Sequence, residues 1–227
     1  MILNIETSSK ICSVALSDHG AVWMSRESDS EMDHSAKLAP FVEECMRELR
    51  ARGEKPEAVA VSIGPGSYTG LRIGLSLAKG LCFGYDIPLI GIPTLELLAV
   101  KAMFSLKEIE GDELYIPMID ARRMEVYTAV YNSRLQTLEG PEAMILDENS
   151  YINLEGKPLI VVGDGAKKAR EVMKVGVKRW LDIMPKATDM TALSERSLRN
   201  GEFIDRAYST PFYLKNFQAT TPKKKIF

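Results

Sequence analysis

Three short segments of this chain hold the residue types that phosphate chemistry needs. The first is Gly64-Pro65-Gly66-Ser67-Tyr68-Thr69-Gly70, a glycine-rich turn between the apolar run Val59–Ile63 and a long apolar helical pattern. Glycine lets a backbone turn sharply and approach a ligand closely, and the free N–H groups of a helix start favour an anion. Gly64, Gly66, Ser67, Thr69 and Gly70 are therefore candidate phosphate-binding positions. The turn is not a Walker loop, because Leu71-Arg72 follows Gly70 where Lys-Ser/Thr is required. Nor is it the dinucleotide fingerprint, since Thr69 stands at the third glycine position. The competing reading is a tight strand-to-helix connection with no ligand.

The other two segments each end an apolar strand in a carboxylate: Ile5-Glu6-Thr7-Ser8 and Ile119-Asp120-Ala121-Arg122. Glu6 and Asp120 are candidate members of a phosphate cleft, with Thr7 and Ser8 supplying hydroxyl donors. That is the chemistry of an independent ATPase or small-molecule kinase. Against it, Asp120 is followed by Ala121-Arg122-Arg123, with no glycine to admit a close phosphate hairpin. Arg122 and Arg123 bind phosphate or form surface ion pairs, and Glu6 has a second reading as a structural acceptor at the strand end.

The elements that position these segments repeat. Ile5 to Leu16 aligns without a gap on Ile119 to Val130, an offset of 114 residues from Glu6 to Asp120. Ile63-Gly64-Pro65-Gly66 finds an echo in Val162-Gly163-Asp164-Gly165, again after an apolar run. Two landmarks in the same order predict two similar α/β halves around a cleft, with Glu6 and Asp120 both facing it. Chance matching of short apolar runs is the alternative. Gly111-Asp112 is the expected hinge, dividing the chain into residues 1–110 and 111–227.

Periodicity predicts strands at 2–6, 11–17, 20–26, 58–63, 87–92, 114–120, 124–131 and 159–162. Helices are expected from about Ser35, at 71–84, at 95–104 with Thr94 as cap, at 165–174 and at 189–200. Pro40 suggests that the first helix starts later or bends there. In that helix Leu38, Phe41, Val42, Cys45, Met46 and Leu49 share one face. The helix at 71–84 is apolar nearly all round, so it must be covered on more than one side. Gly70, Gly74 and Ala78 form a small-residue strip that would admit close backbone approach, within the domain or from a partner.

Composition excludes several classes. The 227 residues are 45% hydrophobic and 26% charged, with a net charge of −2, which gives no global drive toward nucleic acid or membrane. Cys12, Cys45 and Cys82 lie among apolar neighbours without C-x-x-C spacing and read as small buried hydrophobes in a reducing, cytoplasmic compartment. No run approaches a membrane span. With only His19 and His34, and leucine at position 38, there is no His pair at helical spacing, so no transition-metal site is expected. His34 reads as a surface or capping residue. The tail, Thr220 to Phe227 with Lys223-Lys224-Lys225, is expected to be poorly ordered or held by partner contacts, with a phosphate-backbone contact as the alternative.

Ile5-Glu6-Thr7-Ser8, Cys12-Ser13-Val14-Ala15-Leu16, His34-Ser35-x-x-Leu38, the segment Gly64 to Gly74 and Ile119-Asp120-Ala121-Arg122 together resemble the TsaB (YeaZ) family. These are bacterial accessory proteins of tRNA threonylcarbamoyladenosine biosynthesis. The resemblance covers the first 130 residues well, Gly163-Asp164-Gly165 more loosely, and leaves the tail uninformative. It implies an actin-like ATPase (ASKHA) fold, in agreement with the duplicated halves, and in that fold Glu6 and Asp120 would organise Mg²⁺ and water around phosphates. It also implies a non-catalytic scaffold that binds and supports TsaD, the relative that holds a metal through His-x-x-x-His and transfers the threonylcarbamoyl group to adenosine. A TsaE-like ATPase as second partner, tRNA reached through the complex, a homodimer when alone, and no required cofactor beyond weak ATP or ADP binding are further implications. Catalytic residues are expected to be absent, and with no H-E-x-x-H there is no basis for peptidase chemistry. The expected association surface is the helices at 36–50 and 71–84: Leu38, Phe41, Val42, Cys45 and Met46 with Gly70, Gly74, Ala78 and Leu81, and Arg72 and Lys79 toward the rim.

Overall fold

The computed structural model describes residues 1–28, 34–108 and 110–215. Two five-stranded mixed sheets carry the duplication. The first contains β1 (Ile2–Glu6), β2 (Cys12–Asp18), β3 (Ala21–Ser28), β4 (Ala58–Gly64) and β5 (Leu89–Pro93), in the order β3-β2-β1-β4-β5. The second contains β6 (Leu114–Asp120), β7 (Glu125–Asn132), β8 (Thr137–Ile145), β9 (Leu159–Val162) and β10 (Arg179–Leu181), in the order β8-β7-β6-β9-β10. In both, the first strand runs antiparallel to the second and parallel to the fourth. The halves are therefore the same topological unit twice. The ungapped alignment slips by one residue beyond the hairpin: Glu6 pairs with Ser13, but Asp120 pairs with Val126, so the second hairpin closes one residue sooner.

Two strands escaped the periodicity. β8 is exposed along most of its length, so it has no apolar alternation to read, and β10 has three residues. Thr94 does not cap its helix. It is the first helical residue of α3 (Thr94–Ser105), Pro93 occupies the cap position, and the Thr94 hydroxyl has no hydrogen-bond partner.

Helix α1 (His34–Ala51) contains Pro40 on its exposed side. Its apolar face packs with α2 (Tyr68–Tyr85) on the first sheet, where Leu38, Val42, Cys45, Met46 and Leu49 join Leu3, Ile5, Val59 and Val61 in one core. Helix α3 lies between the sheets. Leu97 and Val100 meet Ile2, Ala60 and Ile92 of the first sheet, while Leu95, Leu98 and Ala102 meet Tyr115, Ile119 and Val162 of the second. A helix apolar all round must be covered on more than one side. The sequence reading assigned that situation to α2, and α3 meets it more fully.

Helix α4 (Ala166–Val172) backs the second sheet through Ala166 and Ala169. Helix α5 (Thr191–Asn200) returns to the first: Met190 and Leu193 pack on Ile2, Ala58 and Ile90. The first sheet ends at Pro93 and the second begins at Leu114, and α3 and α5 cross between the halves. The basic run Lys223-Lys224-Lys225 lies outside the described residues.

Candidate functional site

The glycine turn and the β1–β2 turn are pressed together at backbone distance. A Cβ on Gly66 would lie 2.4 Å from the Ser8 carbonyl oxygen, and one on Gly70 would lie 2.0 Å from that of Thr7. The Ser67 N–H donates to the Ser8 carbonyl (2.7 Å), and the Ser67 hydroxyl caps α2 by accepting from the Gly70 N–H (3.2 Å). These donors, expected to meet phosphate, are spent inside the chain. Thr69 is exposed on the first turn of α2. Gly64, at φ +110°, has the Phe212 carbonyl 2.6 Å from where a side chain would begin.

Glu6 is fully buried. One of its oxygens accepts from both the backbone N–H and the hydroxyl of Ser8, and the Ser62 hydroxyl also bears on the carboxylate. Burial pushes its carboxyl up to about 7, against the downward pull of the Ser8 and Ser62 donors. Thr7 is likewise buried, with its hydroxyl unpartnered and directed at Gly74. Asp120 is exposed. Its carboxylate accepts from the Arg122 N–H (2.6 Å) and the Lys168 ammonium (2.8 Å), while its own N–H donates to Asp164 (2.9 Å). Arg122 (φ +69°) and Arg123 (φ +50°) make the tight β6–β7 turn in the left-handed region. Neither guanidinium has an ion pair among the described residues.

Between the halves lies a crevice of about 10 Å³, lined by Ser8, Ser9, Thr94, Leu98, Ile119, Asp164, Met184 and Pro185. That is room for one water. Neither Glu6 nor Asp120 lines this crevice: Glu6 is buried under the β1–β2 turn, where it accepts from Ser8, and Asp120 is held by the Arg122 N–H and by Lys168 of α4, while Ser8 and Asp164 stand at the junction. His34 is corrected: it is buried, and Nε2 lies 3.0 Å from the Ser9 carbonyl, to which it donates.

The association residues divide. Leu38, Val42, Cys45, Met46, Gly70, Gly74 and Ala78 are all buried within this chain. They are core: Gly70 and Gly74 face Thr7 rather than solvent, and Ala78 joins the first core. An apolar stripe at helical spacing has the same appearance whether it meets its own sheet or another protein. Phe41, Arg72, Lys79 and Leu81 remain at the surface, Phe41 and Leu81 half-buried against the first core, as are Ile73, Leu77 and Tyr85.

A second pair of α2 glycines went unread. Gly80 is exposed in the last turns of α2 and Gly84 in its final turn, and among the described residues nothing lies within 4 Å of a Cβ at either. A glycine inside a helix costs about 1 kcal/mol relative to alanine, and among the described residues no contact requires Gly80. Beside them Phe83 is 84% exposed. The i, i+4 spacing of Gly80 and Gly84 was the available signal.

The chain matches the family model of TsaD, tRNA N6-adenosine threonylcarbamoyltransferase, over residues 28–201. It is 29% identical to tRNA threonylcarbamoyladenosine biosynthesis protein TsaB of Escherichia coli, over 95% of this chain and 94% of that protein. To the TsaB of Buchnera aphidicola subsp. Schizaphis graminum it is 30% identical, over 84% of this chain and 90% of the other. Among solved structures, YeaZ from Pseudomonas aeruginosa superposes with a TM-score of 0.76 at 26% identity, covering 94% of this chain and 99% of that one. With the duplicated sheet order, this makes the fold actin-like.

Proposed function

This chain belongs to the TsaD family in its TsaB (YeaZ) branch, and on that premise we propose that it is a non-catalytic, partner-binding subunit in tRNA threonylcarbamoyladenosine biosynthesis. The observation that carries the reading is the outward face of α2. Gly80 and Gly84 leave the helix backbone open, Phe83 stands in solvent, and Ile73, Leu77 and Leu81, spaced i, i+4 and i+8 along α2, are half-buried, as is Phe41 of α1. A face of that kind suits close helix–helix packing with an apolar centre.

The partner is a TsaD-like catalytic subunit, with a TsaE-like ATPase joining the assembly and tRNA reached through it; alone, the chain pairs with itself through the same face. The halves 1–110 and 111–227 serve as one scaffold. No helix of the described residues is long and apolar enough to cross a membrane, which suits a cytoplasmic protein. No cofactor is required for this role. In support, the turn donors at Ser67 and Gly70 are already engaged, and Glu6 holds Ser8 rather than an open site.

Co-purification with a TsaD-like protein, followed by tRNA modification assayed with and without this chain, tests the reading. Modification that proceeds equally well without the chain overturns it. ATP turnover by the purified chain clearly above a Glu6→Ala control would favour an enzyme instead.

A further inference from the structure

The segment that follows α5 runs back along the whole of α2. Ile204 donates its N–H to the Leu89 carbonyl (2.9 Å), anchoring the segment on the edge of β5. The Arg206 guanidinium then grips the C-terminal end of α2, donating to the Cys82 carbonyl (3.3 Å) and the Asp86 carboxylate (2.9 Å). The Asp205 carboxylate accepts from the N–H groups of Ala207 and Tyr208 (2.6 Å each), shaping a turn. That turn presents the Ala207 and Ser209 carbonyls to the Lys79 ammonium at 3.0 and 2.6 Å.

Further on, the Phe212 N–H donates to the Ile63 carbonyl (2.7 Å) over the glycine turn. The Tyr213 hydroxyl accepts from Arg72 (3.0 Å), and its ring lies 4.9 Å from that of Tyr68. Lys215 then forms an ion pair with Glu125, across at the start of β7 in the other half. Glu125 belongs to the turn that Lys168 ties to Asp120.

Phe203, Tyr208 and Phe212 are all exposed, so this segment is held mainly by polar clamps rather than by core burial. Segments of that kind open below the global unfolding free energy, in contiguous units. We propose that residues 202–215 form a strap that releases as one unit and couples helix α2 to the β6–β7 turn of the other half. The inference rests on these contacts and not on the role proposed above.

Native-state hydrogen exchange of the full chain tests it. Arg206→Ala removes the clamp at one end. The amide of Phe212, at the other end, should then exchange at least ~10-fold faster, and those of Ala121 and Glu125 about two- to fivefold faster, the scale of one exposed ion pair. An unchanged Phe212 amide would show that the clamps act separately and overturn the proposal. Acceleration at Phe212 with no change at Ala121 and Glu125 would overturn the coupling to the second half. Should Arg206→Ala fail to fold by circular dichroism, Lys215→Gln reads the strap from its other end. It should speed the amides of Ala121, Glu125 and Phe212 together, and a Phe212 amide that stays as in the parent overturns the proposal.

Discussion

Gly74 of α2 lies directly against Thr7: a Cβ at Gly74 would sit 2.3 Å from the Thr7 hydroxyl oxygen. This contact shows why α2 follows a glycine turn, because only without side chains can its first turns approach the end of β1 so closely. The same contact turns the strip first read as a partner surface into core.

Substitution at the inner glycines should therefore cost stability. Gly70→Ala places a methyl 2.0 Å from the Thr7 carbonyl oxygen, a backbone atom that cannot swing aside. A loss of about 3 kcal/mol in urea unfolding is expected, on the scale of core overpacking. Wild-type stability for Gly70→Ala would show that the two turns separate easily.

The outer glycines should behave in the opposite way. Gly80→Ala meets open space and removes a poor helix former, so it should stabilise the isolated fold by about 0.5–1 kcal/mol, and Gly84→Ala, in the final turn, by less. Gly80→Leu should stay folded by circular dichroism yet lose self-association in sizing and lose support of tRNA modification. A folded Gly80→Leu that pairs and supports modification as before removes this face from the interface.

Burial of Glu6 should make stability depend on pH. Its carboxyl rises from an ordinary 4.5 to about 7, so the folded state binds this proton more tightly than the unfolded chain does. The group's contribution is most favourable below about 4.5, declines as pH rises toward 7 and is level above that. The shift corresponds to about 3 kcal/mol. Glu6→Gln should accordingly gain stability over the parent at pH 8 and little at pH 4.5. A difference between the two chains that does not vary with pH would contradict this.

Cys45 and Cys82 should resist alkylation. Burial pushes each thiol up to about 11, and the Cys82 thiol donates to the Pro88 carbonyl. At pH 8 both should label with iodoacetamide at least ~100-fold more slowly than free cysteine, since the thiolate is the nucleophile. Mass spectrometry of the labelled peptides measures this, and rapid labelling of the folded chain would contradict the buried placement.

Much of this protein was legible along the chain. The two strand–carboxylate–turn units at Glu6 and Asp120 disclosed a duplication that the matching sheet orders bear out. Most strands and helices followed from apolar period, because burial of one face dictates that period locally. β8 did not, since an exposed strand leaves no such imprint.

What only tertiary structure decided was which neighbour each face meets. Along α2 the sequence offers two small-residue pairs, Gly70 with Gly74 and Gly80 with Gly84, and periodicity separates them without saying which meets β1. Likewise no local pattern links Arg72 to Tyr213, 141 positions away, or sets Lys168 rather than Glu6 beside Asp120. Side-chain spacing is governed by the geometry of one helix or strand, whereas contact is governed by how those elements stack. The first is a property of short stretches of sequence, and the second exists only once the whole chain has packed.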